Sequence, residues 1–502
     1  METHKQAVSR IAADIEQFYA RKEPFRIYHG STNSTRKSQY EIDRMINTSK
    51  LSHVLHVDTG TKTALVEPNV PMDALVAAAL QHGLVPPVVM EFPGITVGGG
   101  FAGTAGESSS FRYGFFDRTI NWIEMVLANG DVVRASKTEN PDLFFGAASS
   151  FGTLGVTTLL EVQLIEAKSH VSLTYYPVKG LLEAQEVIER VTTDTSFEYL
   201  DGIMFSKDNG VICAGKMTND VGNLKVQGFM RPTEPWFYLY VQRLMKNKQS
   251  PVTEAVPLVD YLFRYDRGGF WVARYAFKYF LTPFNRITRF VLDYFMHTRV
   301  LYRALHQSGL ASSHVVQDVA IPYPRANEFM SYLDANFKQY PIWLCPLKQS
   351  GKEIASTHSL QAGKTNQMMP EMMLNFGVWG PGSTDRREFF YWNREFEKKV
   401  RELGGQKWLY AQTYYAEKEF YEIYNREEYD ALRKKYHAEY LPSVYDKVKV
   451  DVESEEKAKR ESWKLWLLAL FWGIWPLAGL YGVWKAVLGG DYLLPKGGRR
   501  KR

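Results

Sequence analysis

A glycine-rich run between residues 96 and 108 constrains the fold of this chain more than any other feature. It reads TVGGGFAGTAGES, and its five glycines permit positive φ and a close approach of the backbone to a neighbouring group or an anion. No Gly-Lys-Ser/Thr follows, so it is not a Walker loop, and it lies outside the N-terminal βαβ unit that a Rossmann fingerprint requires. On this run alone, an anion-binding loop and a plain glycine-rich hinge both stay open.

Two further turns rich in hydrogen-bond donors lie in the same part of the chain. One reads HGSTNSTR (residues 29–36) and the other GTLGVT (residues 152–157). Small hydroxyl residues, Asn and Arg donate well to a pyrophosphate, although each segment alone also fits a surface turn. Together the three turns predict a large dinucleotide bound across one domain. The predicted cofactor-binding residues are His29, Gly30, Ser31, Thr32, Asn33, Ser34, Thr96, Val97, Gly98, Gly99, Gly100, Phe101, Ala102, Gly103, Thr104, Ala105, Gly106, Glu107, Ser108, Gly152, Gly155 and Val156.

Strands, hairpins and short helices alternate up to about residue 168, a pattern typical of an α+β domain. Asp58-Thr59-Gly60 and Asn129-Gly130 each predict a hairpin, and Asn140-Pro141 predicts the start of a helix. After residue 171 the pattern changes, and an aromatic- and arginine-rich helical region follows between residues 232 and 303. We predict a first domain at 1–170, a second domain at 171–445, a charged stalk at 446–464, an apolar segment at 465–484 and a basic tail at 485–502.

Length and composition exclude several classes of protein. The 502 residues suffice for two or three folding units, and 45% apolar with 23% charged residues argues against disorder and against a polytopic membrane protein. Two cysteines, Cys213 and Cys345, cannot build a disulfide framework, and neither CxxC nor histidine spacing predicts a metal site. We therefore expect a reduced chain on the cytosolic side, with no metal. The net charge of +6 is small for this length, so no nucleic-acid partner is expected.

The segment 465–484 predicts attachment to a membrane. It reads LWLLALFWGIWPLAGLYGVW, about twenty residues without a charge, which is enough to cross a bilayer as a helix. Tryptophans near both ends suit the membrane interface. Pro476 near its middle also allows a shallow hairpin in one leaflet, and a buried C-terminal helix is the remaining alternative.

The order of these motifs resembles a known flavoprotein family. VEPNVPM (66–72), the glycine-rich run, ANGDVVRAS (128–136) and FGTLGV (151–156) resemble the PCMH-type flavin domain of the vanillyl-alcohol-oxidase superfamily. ESSSFRYG (107–114), ENPDLFFGA (139–147), HVVQD (314–318) and WLYAQTYY (408–415) are similar to the delta(24)-sterol reductases, and the resemblance covers most of residues 25–450. It implies a two-domain α+β flavoprotein, here with a C-terminal membrane segment. It further implies FAD, NADPH as co-substrate, a sterol-like substrate and the endoplasmic-reticulum membrane, with the catalytic domains facing the cytosol.

The reaction that this resemblance implies is reduction of the C24–C25 double bond of a sterol or sterol-like triterpenoid. A protein group must protonate C24 while C25 receives hydride from flavin N5 inside a dry pocket. The resemblance implies His314, Asp318, Tyr414 and Tyr415 as candidates for the proton donor. His29 is the only histidine of the first loop and precedes its glycine, so we expect FAD to be held without a covalent bond.

Three alternatives belong to other functional classes. An oxygen-dependent flavin oxidase of an alcohol, sugar or lactone shares the flavin domain and would release H₂O₂. A non-redox flavin enzyme of the ether-lipid type would form product without consuming NADPH. A sterol-binding membrane protein without turnover would carry no flavin.

Overall fold

The computed structural model describes residues 3–29, 42–349, 370–453 and 474–489, and it mixes helices and sheets as the α+β prediction requires. The strands are β1 Arg26–Tyr28, β2 Met45–Asn47, β3 Val54–Asp58, β4 Thr63–Val66, β5 Leu84–Val85, β6 Ile120–Leu127, β7 Val132–Ser136, β8 Gly155–Gln163, β9 Ile165–Glu166, β10 His170–Val178, β11 Tyr199–Ser206, β12 Asn209–Thr218, β13 Val252–Pro257, β14 His314–Pro322, β15 Ile342–Lys348, β16 Met372–Pro381 and β17 Gln406–Lys407.

The helices follow the same order along the chain. They are α1 His4–Arg21, α2 Met72–Leu80, α3 Val97–Gly103, α4 Ser110–Tyr113, α5 Pro141–Ala147, α6 Leu181–Thr193, α7 Phe237–Leu244, α8 Leu258–Leu262, α9 Ala273–Tyr279, α10 Arg286–Val291, α11 Thr298–Gln307, α12 Tyr323–Asn336, α13 Arg386–Glu402, α14 Glu417–Ile423, α15 Arg426–Lys435, α16 Val444–Val448 and α17 Leu477–Gly489.

The first sheet is antiparallel, with five strands in the order β3-β4-β8-β6-β7. Both predicted hairpins are confirmed. In the β3–β4 turn the Asp58 carboxylate accepts the N–H of Gly60 at 2.7 Å, and in the β6–β7 turn Gly130 has φ 98°. Helix α1 covers this sheet with buried Ile11 and Ile15, which satisfies its apolar stripe.

The second sheet is antiparallel, with eight strands in the order β13-β10-β12-β11-β15-β16-β14-β17. Alternation along β14 divides its side chains between two environments. Val315 and Val319 join the apolar layer beneath α6, α12 and α13, whereas Val316 and Asp318 face a cavity. The change of sheet falls between β9 and β10, beside residue 170, where the sequence divides the two domains; that division stays a prediction.

The last helices of the second half return to the first sheet. The Tyr429 hydroxyl bonds Thr153 Oγ1 at 2.8 Å, the Lys447 ammonium donates to Phe151 O at 2.7 Å, and the Tyr440 hydroxyl donates to Ala128 O at 2.6 Å. The first residues of the predicted charged stalk, 446–448, belong instead to helix α16, and Val448 is buried there. Residues 454–464 of that stalk lie outside the described residues.

The C-terminal part of the described chain is the helix α17. The structure describes only residues 474–484 of the predicted apolar segment and residues 485–489 of the predicted tail. Within the described ranges, every helix is too short or too polar to cross a membrane. Small residues of α17, among them Gly482 and Ala486, are buried against α11.

Candidate functional site

A cavity of about 430 Å³ separates the glycine-rich helix α3 from the inner face of the eight-stranded sheet. The two walls differ in character. The first wall comes from the N-terminal part of the chain and is rich in glycine and alanine: His29, Thr96, Gly98, Gly99, Gly100, Phe101, Ala102, Gly103, Ala105, Gly106, Glu107, Gly152, Gly155 and Val156. The opposite wall is largely aromatic and comes from the second half of the chain: Phe270, Val272, Tyr302, Val316, Asp318, Trp343, Trp379 and Tyr410.

The structure brings described residues of all three donor-rich turns of the sequence to one cavity, with His29 as the one described residue of the first turn. His29, the glycine-rich run and the 152–156 turn all line it. Val97, Thr104 and Ser108 of the predicted set are buried but are not part of the lining. Gly30, Ser31, Thr32, Asn33 and Ser34 lie outside the described residues. The cofactor contact of each residue stays a prediction.

The glycines of α3 allow close packing of the backbone that forms the first wall. A Cβ on Gly98 would lie 2.7 Å from Pro68 Cβ and 3.0 Å from Pro68 O, so that position does not accept a side chain. A Cβ on Gly100 would lie 2.3 Å from Met90 Cε, so the Met90 side chain would have to move. The N–H groups of Gly98 and Gly99 already bond Pro68 O and Thr96 Oγ1. The main role of these glycines is therefore to let neighbouring segments of the chain pack closely. Their N–H groups are less available as hydrogen-bond donors to a ligand than the glycine-rich sequence predicts.

Gly103 differs from Gly98 and Gly100 because a Cβ there would fit without a clash. A Cβ there would meet its nearest heavy atom, Tyr410 Cβ, only at 3.9 Å. A backbone cradle on one side and an aromatic wall on the other suit a dinucleotide that carries a flat ring system. The residues present therefore fit FAD.

Asp318 is a buried carboxyl group on the aromatic wall. It accepts hydrogen bonds from the Tyr410 hydroxyl, from Trp379 Nε1 at 3.1 Å and from Asn375 Nδ2 at 3.3 Å. These bonds favour the ionised form, but burial outweighs them and raises the pKa of Asp318 to about 6. A carboxyl group in this state can exchange a proton near neutral pH.

Glu91 is a second buried carboxyl group on the cavity lining. Burial raises its pKa to about 8, against the attraction of the Arg264 guanidinium. That guanidinium already forms an ion pair with Asp201, in which Arg264 Nη2 lies 2.8 Å from Asp201 Oδ2. Among the described residues, Glu91 Oε1 has no hydrogen-bond partner. Glu91 is therefore mostly protonated at pH 7.

Comparison with known proteins decides the family. Residues 5–136 match the FAD binding domain family. The chain is 32% identical to the delta(24)-sterol reductase of Mus musculus over 412 residues, which cover 80% of this chain and 77% of the relative. For the Homo sapiens enzyme the identity is 32% over 415 residues, with the same coverage, and for that of Arabidopsis thaliana it is 30% over 457 residues, or 84% and 79%.

The chain belongs to the delta(24)-sterol reductase family. The resemblance read from the sequence motifs is thereby confirmed, as is an FAD-binding domain in the N-terminal part of the chain.

Three of the four proton-donor candidates lie away from the cavity lining of this family member. His314 begins β14 and bonds Leu310 O through Nδ1 at 2.9 Å, and burial lowers its pKa. Tyr414 packs against Phe390, and the Tyr415 hydroxyl donates to a main-chain carbonyl of α13. Asp318 alone of the four lines the cavity. The catalytic roles stay predictions, but the geometry favours Asp318.

The sequence motifs did not single out Glu91 or Tyr410, which both line the cavity of this reductase-family chain. Glu91 is the one charged residue in the stretch VVMEFPGIT that leads into the glycine-rich run, which is a signal that the sequence offered. Tyr410 lies in WLYAQTYY together with the two candidates Tyr414 and Tyr415, and no rule of sequence spacing distinguishes among the three tyrosines.

A metal would need clustered ligands. Over the described ranges, no group of three or more His, Cys, Asp and Glu is placed to hold one. The expectation of no metal stays a prediction.

Proposed function

We propose that this protein is an FAD-dependent reductase that uses NADPH to reduce the C24–C25 side-chain double bond of a sterol or sterol-like triterpenoid. Its family consists of oxidoreductases that act on CH–CH bonds. One observation carries the proposal for this chain. The protonatable Asp318 carboxyl group lies on an aromatic wall that faces the glycine-rich run of the FAD-binding domain.

The reaction adds one hydride and one proton to the alkene, so that alkene, NADPH and H⁺ give the saturated side chain and NADP⁺. Bound FAD supplies the group that accepts hydride from NADPH and passes it on. The residues that would hold it are those of the first wall, from His29, the glycine-rich run and the 152–156 turn. The cofactor is expected to be non-covalent.

The chain's own contribution is a proton and a dry, electron-rich surface. Protonated Asp318 delivers its proton to C24, and the resulting carboxylate keeps its hydrogen bonds from Tyr410 and Trp379. Protonation places positive charge on the tertiary C25. The Trp343 and Trp379 rings, stacked with centroids 5.9 Å apart, offer π faces that stabilise such a charge and exclude water.

Purified full chain, incubated with NADPH and a panel of side-chain-unsaturated sterols, tests this function by mass spectrometry. The expected product is heavier than its substrate by two hydrogens, in step with NADPH oxidation. Steady H₂O₂ release with a polar alcohol or sugar and no sterol product would support the oxidase alternative. Product formation without NADPH consumption would support the ether-lipid type.

We also infer attachment to the endoplasmic-reticulum membrane through residues 465–484, with the catalytic domains in the cytosol. The charge-free sequence of this segment and the lipid-like substrate support it. The docking of residues 477–484, as part of α17, against α11 supports the shallow hairpin over a span. A glycosylation acceptor fused after Arg502 should then stay unmodified, and its modification would mean that the segment spans the membrane. Protection of the catalytic domains from protease in sealed microsomes would contradict the cytosolic orientation.

A further inference from the structure

The segment from residue 281 to residue 294, here called the α10 surface, exposes large apolar side chains to solvent. Leu281, Ile287 and Val291 are exposed by 75%, 74% and 70%, and Phe290 and Tyr294 by more than half. Every residue of α10 is at least partly exposed. The surfaces of soluble proteins rarely expose so many apolar side chains together. We therefore expect a partner molecule or a lipid bilayer to cover the α10 surface.

Helix α17 adds further exposed apolar residues beside this surface. It is fixed to the fold through small residues: a Cβ on Gly482 would lie 2.4 Å from Ala304 O, and one on Gly479 would lie 2.3 Å from the Tyr279 ring. Trp475 Nε1 donates to Tyr279 O at 2.7 Å, two residues before Leu281. The residues that remain exposed are Ile474, Trp475, Leu480, Trp484, Val487 and Leu488.

The charge of this region identifies what covers it. Residues 267–307 contain seven Lys or Arg and a single acid, Asp293. Arg267 and Arg303 are buried and Arg299 pairs with Asp73, so the basic groups that this region presents at its surface are Arg274, Lys278, Arg286 and Arg289. Asp293 is buried and pairs with Arg267 at 2.7 Å and with His297 at 3.3 Å, so it does not offset the basic groups at the surface. Apolar side chains with Trp and Tyr among them and basic residues around them match the interface of an anionic lipid bilayer.

The position of the surface connects it with the cavity. Tyr302 on α11 lines the cavity, and the next residue, Arg303, donates from Nε to Lys485 O of α17 at 3.1 Å. A single helix therefore separates the cavity from the exposed apolar residues. A bilayer in contact with them would present a water-insoluble substrate next to the site.

We propose that the α10 surface and the exposed face of α17 lie together in the interfacial layer of an anionic lipid bilayer. This contact adds a second element, from residues 281–294, to the attachment inferred for residues 465–484. It does not depend on the reductase assignment, because it is measured by lipid contact rather than turnover.

The test places an environment-sensitive fluorophore on Ile287→Cys in the full chain, reconstituted into phosphatidylcholine–phosphatidylserine vesicles. Cys213 and Cys345 are both buried, so labelling is directed to the new thiol. The matched control is Leu182→Cys, because Leu182 is 64% exposed and lies on α6, which packs on the sheet face away from the cavity. We expect blue-shifted emission at position 287 and quenching by doxyl-labelled lipid at least twofold stronger than at position 182.

Equal emission and equal quenching at the two positions, in chains that float with the vesicles, would overturn the proposal. Energy transfer between two copies labelled at position 287, without quenching by doxyl lipid, would identify a second copy as the covering partner and would equally overturn it. Both results are obtained without NADPH or sterol. A failure here is therefore distinguishable from a failure of the proposed function.

Discussion

Asp318 and Glu91 are both buried carboxyl groups on the cavity lining, yet their surroundings give them different chemistry. Asp318 has three hydrogen-bond donors, which stabilise the carboxylate left after proton transfer. Glu91 is held neutral to a higher pH, with a pKa of about 8. An acid that returns to a stabilised anion is the better proton donor to an alkene.

Replacing Asp318 by Asn should lower kcat for sterol reduction by about 10²–10⁴-fold, because the proton donor is removed while the shape is kept. FAD occupancy, read from flavin absorbance, should stay unchanged. In the unaltered enzyme the donor must be protonated, so activity should fall as the pH rises through about 6.

Glu91→Gln is the matched control, since Gln resembles the neutral carboxyl group that Glu91 carries at pH 7. We expect its activity to stay within a few-fold of the parent. A large loss in Glu91→Gln, together with an activity profile that breaks near pH 8, would transfer the acid role to Glu91 and contradict the assignment of Asp318.

Gly103→Asp should abolish FAD binding, whereas Gly103→Ala should leave most of it. The added Cβ has room beside Tyr410, so the backbone need not shift, and the Asp variant differs by placing a carboxylate in the space expected for the pyrophosphate. Flavin absorbance after gel filtration measures the outcome. Full occupancy in Gly103→Asp would contradict the placement of the cofactor along α3.

At the scale of helices and strands, the sequence predicted correctly those turns and helix starts that depend on residues close together in the chain. The hairpins at Asp58-Thr59-Gly60 and Asn129-Gly130 and the helix after Asn140 form as predicted, because turn residues fix them within a few positions. The pairing of β14 with β16, and hence the direction in which Asp318 points, depends on contacts about sixty residues apart. No local sequence pattern reports such contacts. Of the four predicted proton donors, Asp318 alone therefore lines the cavity.

Helix α1 should loosen from the first sheet as the pH rises from about 6.5 to about 9. Hydrogen bonds to Glu124 and Glu67 raise the pKa of His4 to about 9, so the stabilisation is complete below pH 6.5 and is lost as His4 deprotonates. We expect a loss of about 1–2 kcal/mol in the free energy of unfolding, since partial exposure screens the pair.

The measurement is denaturant unfolding at pH 6.5 and pH 9.5 for the parent and for His4→Gln. His297 also has a pKa raised to about 9, so only the difference between the two proteins is informative. An identical pH dependence in both would show that His4 contributes nothing.

Gly482→Val should release α17 from α11, because the new side chain would collide with the Ala304 carbonyl. Hydrogen exchange of residues 477–489 should accelerate at least tenfold, while α11 stays protected. Leu480→Val is the control, since Leu480 is 52% exposed on the same helix. Equal protection in both variants would contradict the docking described for α17.

At the scale of the whole molecule, residues from the second half of the chain complete the packing around a cavity-lining turn of the first half. Tyr429 and Lys447 hold the 151–153 turn from across the sequence, and Lys447 itself lines the cavity. Tyr429→Phe removes the bond to Thr153 Oγ1 and leaves the Val444 N–H without its acceptor, at a cost of about 1–3 kcal/mol. We expect faster FAD release from this variant, measured as the loss of protein-bound flavin absorbance with time after dilution and gel filtration. Tyr391→Phe, at an exposed position, serves as its control.

The return of the chain's last helices to its first sheet also bears on how a cell makes the protein. While residues 426–448 are still inside the ribosome, the 151–153 turn has no Tyr429 or Lys447 against it, and the cavity lacks part of its wall. Domains synthesised first ordinarily fold first, but the packing around the 151–153 turn is complete only after residues 426–448 have left the ribosome. The residues that hold this turn are therefore synthesised 276 and 296 residues after the positions that they contact.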